Sequence, residues 1–344
     1  MGVTAPKDHW KPPFANGRAG EGDALSIERE ALRCANDVWP RLARSAALDP
    51  RDHAVALLSV RRETGDQARV VALADGPARY VIKFRLNGSA DRFEAAVAAH
   101  QAAGAALAGI ADCAAPAVLA SDARAGALLL EWVRGPTLLQ ALQDNPERAP
   151  DALALAGRWM AALHGHGRTE AAAFSGDWML GRLDRLAAQG VAEPEAFARC
   201  RAALAGIAQD ARGTPMQRAV IHGDLTASNL IWDGHVMTGI DFENTGLHPV
   251  ARDAATVLCD VAIRSDCAAQ AGTATVLPRP IMDAFLQGLG ADTAPAPVLR
   301  FFIGLKLLQH WTRLPDDPAR WSARRVHMFA HISAAASRLW PGAV

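Results

Sequence analysis

The chain has no C-x-x-C pair, no net charge, no long apolar run and no evident internal repeat, and each absence narrows what it can be. Its five cysteines, Cys34, Cys113, Cys200, Cys259 and Cys267, are odd in number and scattered. That argues against a disulfide framework or a zinc site and for reduced thiols in the cytosol. Lysine plus arginine and aspartate plus glutamate both number 36, so no global field directs the protein to nucleic acid or to an anionic membrane. No stretch reaches the roughly 18 consecutive apolar residues of a membrane span, and the N-terminal MGVTAPKDHWKPPF has no apolar signal core. A cytoplasmic protein is expected. With 344 residues, half of them hydrophobic, the chain can bury a substantial core and form two lobes.

The chemistry concentrates between Val220 and Asp253, in VIHGDLTASNLIWDGHVMTGIDFENTGLHPVARD. Residues 230–232 and 236–240 read as short apolar strands joined at Asp233-Gly234, a pair that favours a tight hairpin turn. A hairpin brings its outer ends together. Asn229, entering the first strand, and Asp241, leaving the second, are therefore expected at one end of the ribbon, with Asp224 on the preceding loop. Two carboxylates and an amide oxygen gathered there suit Mg²⁺, a hard cation that takes one or two carboxylates and fills its shell with substrate phosphates. Asp224 is then available as a base. Two other readings of these residues are a polar hairpin with merely solvated acids, and a metallohydrolase built on His222, Asp224 and Asp241.

The run His222-Gly223-Asp224-Leu225-Thr226-Ala227-Ser228-Asn229, followed by Asp241-Phe242-Glu243, resembles the His-x-Asp-x-x-x-x-Asn loop and Asp-Phe-x element of the kinase superfamily. The glycine after His222 and the glutamate after Phe242 are similar to the aminoglycoside phosphotransferase and choline kinase branch. The resemblance implies a protein-kinase-like, two-lobed α+β fold with a small antiparallel-sheet N-lobe and a mainly helical C-lobe. It also implies transfer of the γ-phosphate of ATP or GTP to a hydroxyl of a small molecule, with Asp224 as base, Asn229 and Asp241 on Mg²⁺, and His222 bracing the loop. Glu243 keeps two equal readings, a contact to outer-shell water or a solvated acid. Asp253 resembles the family's aspartate that ties down the catalytic loop, with a helix cap as the competing reading. Only 12 positions separate Asp241 from Asp253, too few for the activation loop of a protein kinase.

Upstream, residues 54–60, 70–73 and 80–84 read as a meander, followed by a helix around Phe93, Val97 and Gln101 and two more strands at 117–120 and 127–131. Lys83, in Tyr80-Val81-Ile82-Lys83, is similar to the strand lysine that holds the α and β phosphates, and Glu94, in Phe93-Glu94-Ala95, to its helix partner. Two surface residues without mutual contact are the alternative. The turn at 60–67 has no Gly-x-Gly-x-x-Gly, which leaves any backbone approach to phosphate to Gly65 and its neighbours, with an ordinary hairpin as the equal alternative. Glu131-Trp132-Val133-Arg134-Gly135 resembles the family's hinge, whose backbone at Glu131 and Val133 would pair with the purine without choosing between ATP and GTP.

The expected division is a flexible arm over 1–25, an N-lobe over 26–133 whose first helix is capped by Ser26, and a helical C-lobe over 134–344. The Leu163-His164 ending of one helical stripe resembles the family, with a cation serving the helix dipole as the commoner reading of His164. From Arg264 onward basic residues outnumber acids, so there is no hint of a pocket for a polycation, although Asp177 or Asp184 could contribute one. Trp178 and Trp311 could face a sugar ring, though packing is the commoner use of such residues. The expected partners are nucleotide and a small hydroxyl acceptor, a sugar or amino alcohol. An aminoglycoside-modifying kinase and a nucleotide-binding pseudokinase are the alternatives.

Overall fold

Small apolar residues at every second position of 68–74 give the first sheet one dry face: Ala68, Val70, Ala72 and Ala74 are all fully buried. The computed structural model describes residues 21–63, 67–269, 271–290 and 293–344. In chain order α1 (Glu21–Ser45) precedes β1 (Ala54–Arg62), β2 (Ala68–Asp75), β3 (Arg79–Leu86) and α2 (Ala90–Leu107). The short β4 (Cys113–Ala114), β5 (Val118–Asp122) and β6 (Ala127–Glu131) follow. Strands β1, β2, β3, β6 and β5 form one antiparallel sheet in that order. Ala31, Ala35, Val38, Trp39 and Leu42 of α1 close the dry face. The helix starts at Glu21, so Ser26 lies inside it and is not its cap, and residues 1–20 of the expected arm lie outside the described residues. At the open end of β1, Glu63 is shared by Arg69 (3.3 Å), Arg85 (3.1 Å) and Arg92 (3.6 Å), which tie the β1–β2 hairpin to β3 and α2.

The chain divides into two compact units, Met1–Val97 with Ala117–Trp132, and Ala98–Pro116 with Val133–Val344. The second contains α3 (Leu138–Asp144), α4 (Ala149–Gly165), β7 (Thr169–Ala173), α5 (Asp177–Ala187) and α6 (Pro194–Asp210). It continues through β8 (Pro215–Val220), β9 (Leu230–Trp232), β10 (Met237–Gly239) and β11 (Leu247–Pro249). Four helices complete it: α7 (Ala251–Arg264), α8 (Arg279–Leu289), α9 (Ala296–Trp311) and α10 (Ala323–Leu339). Two small sheets, β4-β10-β9 and β11-β8-β7, are set among these helices, whose core includes the fully buried Trp159, Phe174, Phe285, Phe301 and Trp311. No described helix is long and apolar enough to cross a membrane.

Candidate active site

The site grows from one hairpin. Strands β9 and β10 pair Trp232 with Met237 and Leu230 with Gly239, and the Ile240 amide donates to the Asn229 carbonyl at 2.9 Å, extending the ladder by one step. Asn229 and Asp241 therefore flank the same end of the ribbon. The turn is held by a side chain: Asp233 Oδ1 accepts from the His235 and Val236 amides at 2.9 and 2.8 Å, with Gly234 at φ +99°. The ribbon is pressed onto α4, since a Cβ at Gly239 would stand 2.0 Å from Cζ2 of Trp159. That indole is fixed in turn by donating Nε1–H to the Ala114 carbonyl at 2.9 Å.

A second set of contacts pins the loop that carries Asp224. Asp253, fully buried in the first turn of α7, accepts the His222 amide at 2.7 Å, the Gly223 amide at 2.9 Å and His164 Nε2–H at 3.1 Å. Burial would push its pKa up. The hydrogen bonds from His164 and the Gly223 amide more than offset that, and the carboxyl stays below its ordinary value. The cap of α7 is Val250, so Asp253 works on the loop and not on its own helix end. His164 likewise departs from the expected role at a helix dipole, because tertiary packing sets a buried carboxylate against it. Two turns along α7, Asp260 accepts the Ala227 amide at 2.9 Å and pairs with Arg264 at 3.0 Å. Burial raises the Asp260 pKa, against the pull of Arg264.

His222 is used at both ring nitrogens. Nε2–H donates to the Ile240 carbonyl at 2.8 Å, a tautomer that leaves Nδ1 to accept the Asp224 amide at 3.4 Å. Neither nitrogen is available to a metal, which removes the metallohydrolase reading. The ring also packs against Phe242, centroids 5.1 Å apart, and Phe242 stacks on Trp159 at 6.0 Å. Gly223 has φ +87° and a Cβ there would lie 3.3 Å from that of Asn244, so this position has no place for a long side chain.

Asp224 emerges from this scaffold exposed, while Asn229 and Asp241 are half-buried. Asn229 Nδ2 donates to the Asp224 carbonyl at 2.9 Å; a carbonyl only accepts, so the Asn229 oxygen points elsewhere. Asp241 has φ +73°, a left-handed conformation that costs a non-glycine residue about 1–3 kcal/mol and is kept only where the surroundings impose it. An amide oxygen and a carboxylate at one ribbon end are hard donors of the kind Mg²⁺ takes. Glu243 is half-buried two residues on.

The same helical unit holds basic groups whose titration the fold shifts. Lys306 of α9 is half-buried, and its pKa is lowered first by burial and then by Arg313 and Arg252, with Asp224 pulling the other way. His310, one turn along, is pushed down to about 3 by burial and by Arg313, Lys306 and Arg264. Of the acids that were candidates for this region, Asp177 pairs with Arg212 at 2.5 Å and Asp184 with Arg201 at 2.8 Å. Trp311 is buried and donates Nε1–H to the Ala192 carbonyl at 2.8 Å, whereas Trp178 is 67% exposed.

In the first unit Lys83 is at the centre of β3, opposite Val71 of β2 and Leu128 of β6. Strand alternation puts it on the face away from α1, since Ile82 and Phe84 are in the α1 core. Glu94 is exposed on the second turn of α2, and among the described residues no ion pair joins it to Lys83. Gly65 lies outside the described residues. Glu131 ends β6, its amide given to the Ala117 carbonyl at 3.0 Å, and Val133 follows half-buried.

A family model for a phosphotransferase enzyme family matches residues 60–294. No curated protein sequence matches the chain. Among solved structures it resembles a choline/ethanolamine kinase family protein from Mesorhizobium loti, with 16% identity over 90% of this chain and 96% of that one and a TM-score of 0.55. A glucosamine kinase in complex with glucosamine, ADP and inorganic phosphate is similar at 15% identity, covering 94% and 84%, with a TM-score of 0.53. The macrolide 2′-phosphotransferase of Brachybacterium faecium is similar at 16%, covering 89% and 98%, with a TM-score of 0.51. These likenesses establish the fold as the protein-kinase-like α+β arrangement of small-molecule kinases.

Proposed function

The chain belongs to the phosphotransferase enzyme family, and from that membership we propose that it moves the γ-phosphate of ATP or GTP to a hydroxyl of a small molecule, with Asp224 as base. The observation that carries the reading is one immobilised loop: an exposed Asp224 stands on backbone gripped by Asp253 and Asp260, in the segment that leads to Asn229 and the open end of the ribbon. A base must meet its proton at hydrogen-bond distance, and a fixed backbone supplies that positioning. As the acceptor oxygen bonds to the γ-phosphorus, the bond from that phosphorus to the β,γ-bridging oxygen breaks and the nucleoside diphosphate leaves. The acceptor's proton goes to Asp224. Mg²⁺, when bound through Asn229 and Asp241, supplies neutralising charge for the phosphates.

We assign Lys83 to the α and β phosphates, the backbone of Glu131 and Val133 to the purine, and Gly65 to the turn over the phosphates; the orienting role expected of Glu94 would need a contact to Lys83 that the described residues do not make. His222 positions the loop and does not touch the reacting atoms. The acceptor is one of the two classes expected, a sugar or an amino alcohol.

Transfer of labelled γ-phosphate to a panel of hydroxyl metabolites should require Mg²⁺ and fall by about 10²–10⁴ fold in Asp224→Asn while nucleotide still binds. Asp241→Ala should abolish only the metal-dependent part of nucleotide affinity, whereas Lys83→Ala should weaken binding with and without metal. Near-normal turnover of Asp224→Asn overturns the base assignment. Nucleotide binding with no transfer to any acceptor would make the chain a pseudokinase.

A further inference from the structure

Helix α7 ends at Arg264, and the chain passes at once into a short 3₁₀ turn, Asp266–Ala268, in which Cys267 and Ala268 are buried and Asp266 is exposed. On α10, His327 and His331 are four residues apart on one face, with ring centroids 4.3 Å apart. One ring nitrogen of each histidine and one carboxylate oxygen of Asp266 lie within 4.8 Å of one another. Three metal-ligating groups from two separate elements thus converge. His331 ties α10 to the end of α7, since its Nδ1–H donates to the Ala262 carbonyl at 3.4 Å and leaves the lone pair on Nε2. A backbone carbonyl that orients an imidazole in this way is the common outer partner of a metal-bound histidine. Among the described residues the His327 ring and the Asp266 carboxylate make no hydrogen bond or ion pair.

The charges nearby bear on what this trio can hold. The last turn of α7 carries the negative end of the helix dipole, which favours a cation. Arg264 is turned to Asp260, with Nη1 at 3.0 and 3.2 Å from its two oxygens. Arg324 lies in the fields of Arg264 and Asp260, and Arg325, two residues before His327, projects to another face of α10. Asp253 and Arg264 mark opposite ends of α7, about 16 Å apart along its axis, so the trio is remote from the loop that Asp253 grips. Its two imidazoles also suit a different ion, because Mg²⁺ takes oxygen donors whereas zinc and its neighbours take nitrogen.

We propose that Asp266, His327 and His331 form a site for a divalent transition ion of the zinc class, separate from the Mg²⁺ of phosphoryl transfer, and that the bound ion staples α10 to the end of α7. Ligand atoms around tetrahedral zinc stand about 3.4 Å apart, so the 4.8 Å trio closes by about 1.4 Å at most. Rotation of the exposed His327 and Asp266 side chains supplies that movement. Water takes the fourth position. An ion held only by the folded arrangement stabilises it by mass action.

The test uses the full chain, stripped of metal by a chelator, kept reduced, and supplied with excess Mg²⁺ to fill the oxygen donors of the catalytic loop. Zn²⁺ is titrated by calorimetry with thermal unfolding in parallel, and Co²⁺ is the optical probe. One ion per chain should bind and raise the melting temperature, and Co²⁺ should show visible bands without thiolate charge transfer. His327→Ala and Asp266→Asn, both at exposed positions, should each weaken binding at least roughly tenfold and remove the rise, leaving the metal-free melting temperature unchanged. His331→Ala should do the same to binding, but it also cuts the tie to Ala262, so the exposed variants decide. Asp241→Ala should leave Zn²⁺ binding intact. The proposal is overturned by the absence of saturable binding, by binding that is unchanged in either exposed variant, by its loss in Asp241→Ala, or by a thiolate band with Co²⁺.

Discussion

Asp253 and Lys306 both lie in the largely apolar interior of the same helical unit, yet their surroundings differ in every respect that sets the energy of an ion. Asp253 is sealed from solvent and fully engaged, by two backbone amides and His164, and these contacts hold its carboxyl in the charged form. Lys306 keeps some exposure, has no side-chain partner among the described residues, and is crowded by Arg313 and Arg252. A buried charge whose hydrogen bonds are complete is part of the scaffold. One whose partners are missing costs stability.

The contrast can be broken most directly at its satisfied end. Asp253→Ala leaves two amides and His164 without an acceptor, and should lower the unfolding free energy by about 3–5 kcal/mol in denaturant titration. A loss below about 1 kcal/mol would mean that the three contacts are not what holds the loop. A more gradual effect, reaching a similar size only at the acid extreme, is expected from pH. His310 is ordinarily a group of pKa 6.5 and is held near 3 in the fold, so it stays neutral in the native state while the unfolded chain takes up its proton. Stability is then complete above pH 6.5 and falls as pH drops toward 3, by at most about 1.4 kcal/mol per pH unit. His310→Gln should flatten that slope, and an unchanged slope would place the acid-sensitive group elsewhere. The smallest change is predicted for Lys306→Met: removing an unmatched charge should leave the melting temperature level or raise it, with a gain on the order of 1 kcal/mol. A clear loss of stability would show that Lys306 is structural, and the contrast with Asp253 would disappear.

The legibility of the sequence followed the range of the interactions involved. The hairpin at 230–240 could be read because Asp233-Gly234 and its flanking apolar residues act within a few positions, and the meander of the first sheet for the same reason. Strands β7, β8 and β11 could not, since TEAAA, PMQRAV and LHP carry little apolar alternation and become strands through mutual pairing. His164 was misread because its partner, Asp253, is distant in the chain. The basic residues after Arg264 were visible as an excess over acids, but which of them the fold leaves without an acidic partner was not. A signal was present in Lys306, His310 and Arg313 at helical spacing, and it pointed to a shared face without saying what that face meets.

By itself the sequence determined the loop-and-hairpin stretch and the family to which it belongs, because those residues act through short spacings, two positions from His222 to Asp224 and 12 from Asn229 to Asp241, and through chemistry fixed by their type. Asp253 was legible by resemblance as the acid that ties down the loop; only the tertiary structure decided that His164 would be its third partner and that Lys306 would be left unmatched. Which charges converge depends on how α7 and α9 pack, and packing is set by the summed burial of many apolar residues, Phe301 and Leu308 among them, none of which says by its own identity where a distant cation will come to rest.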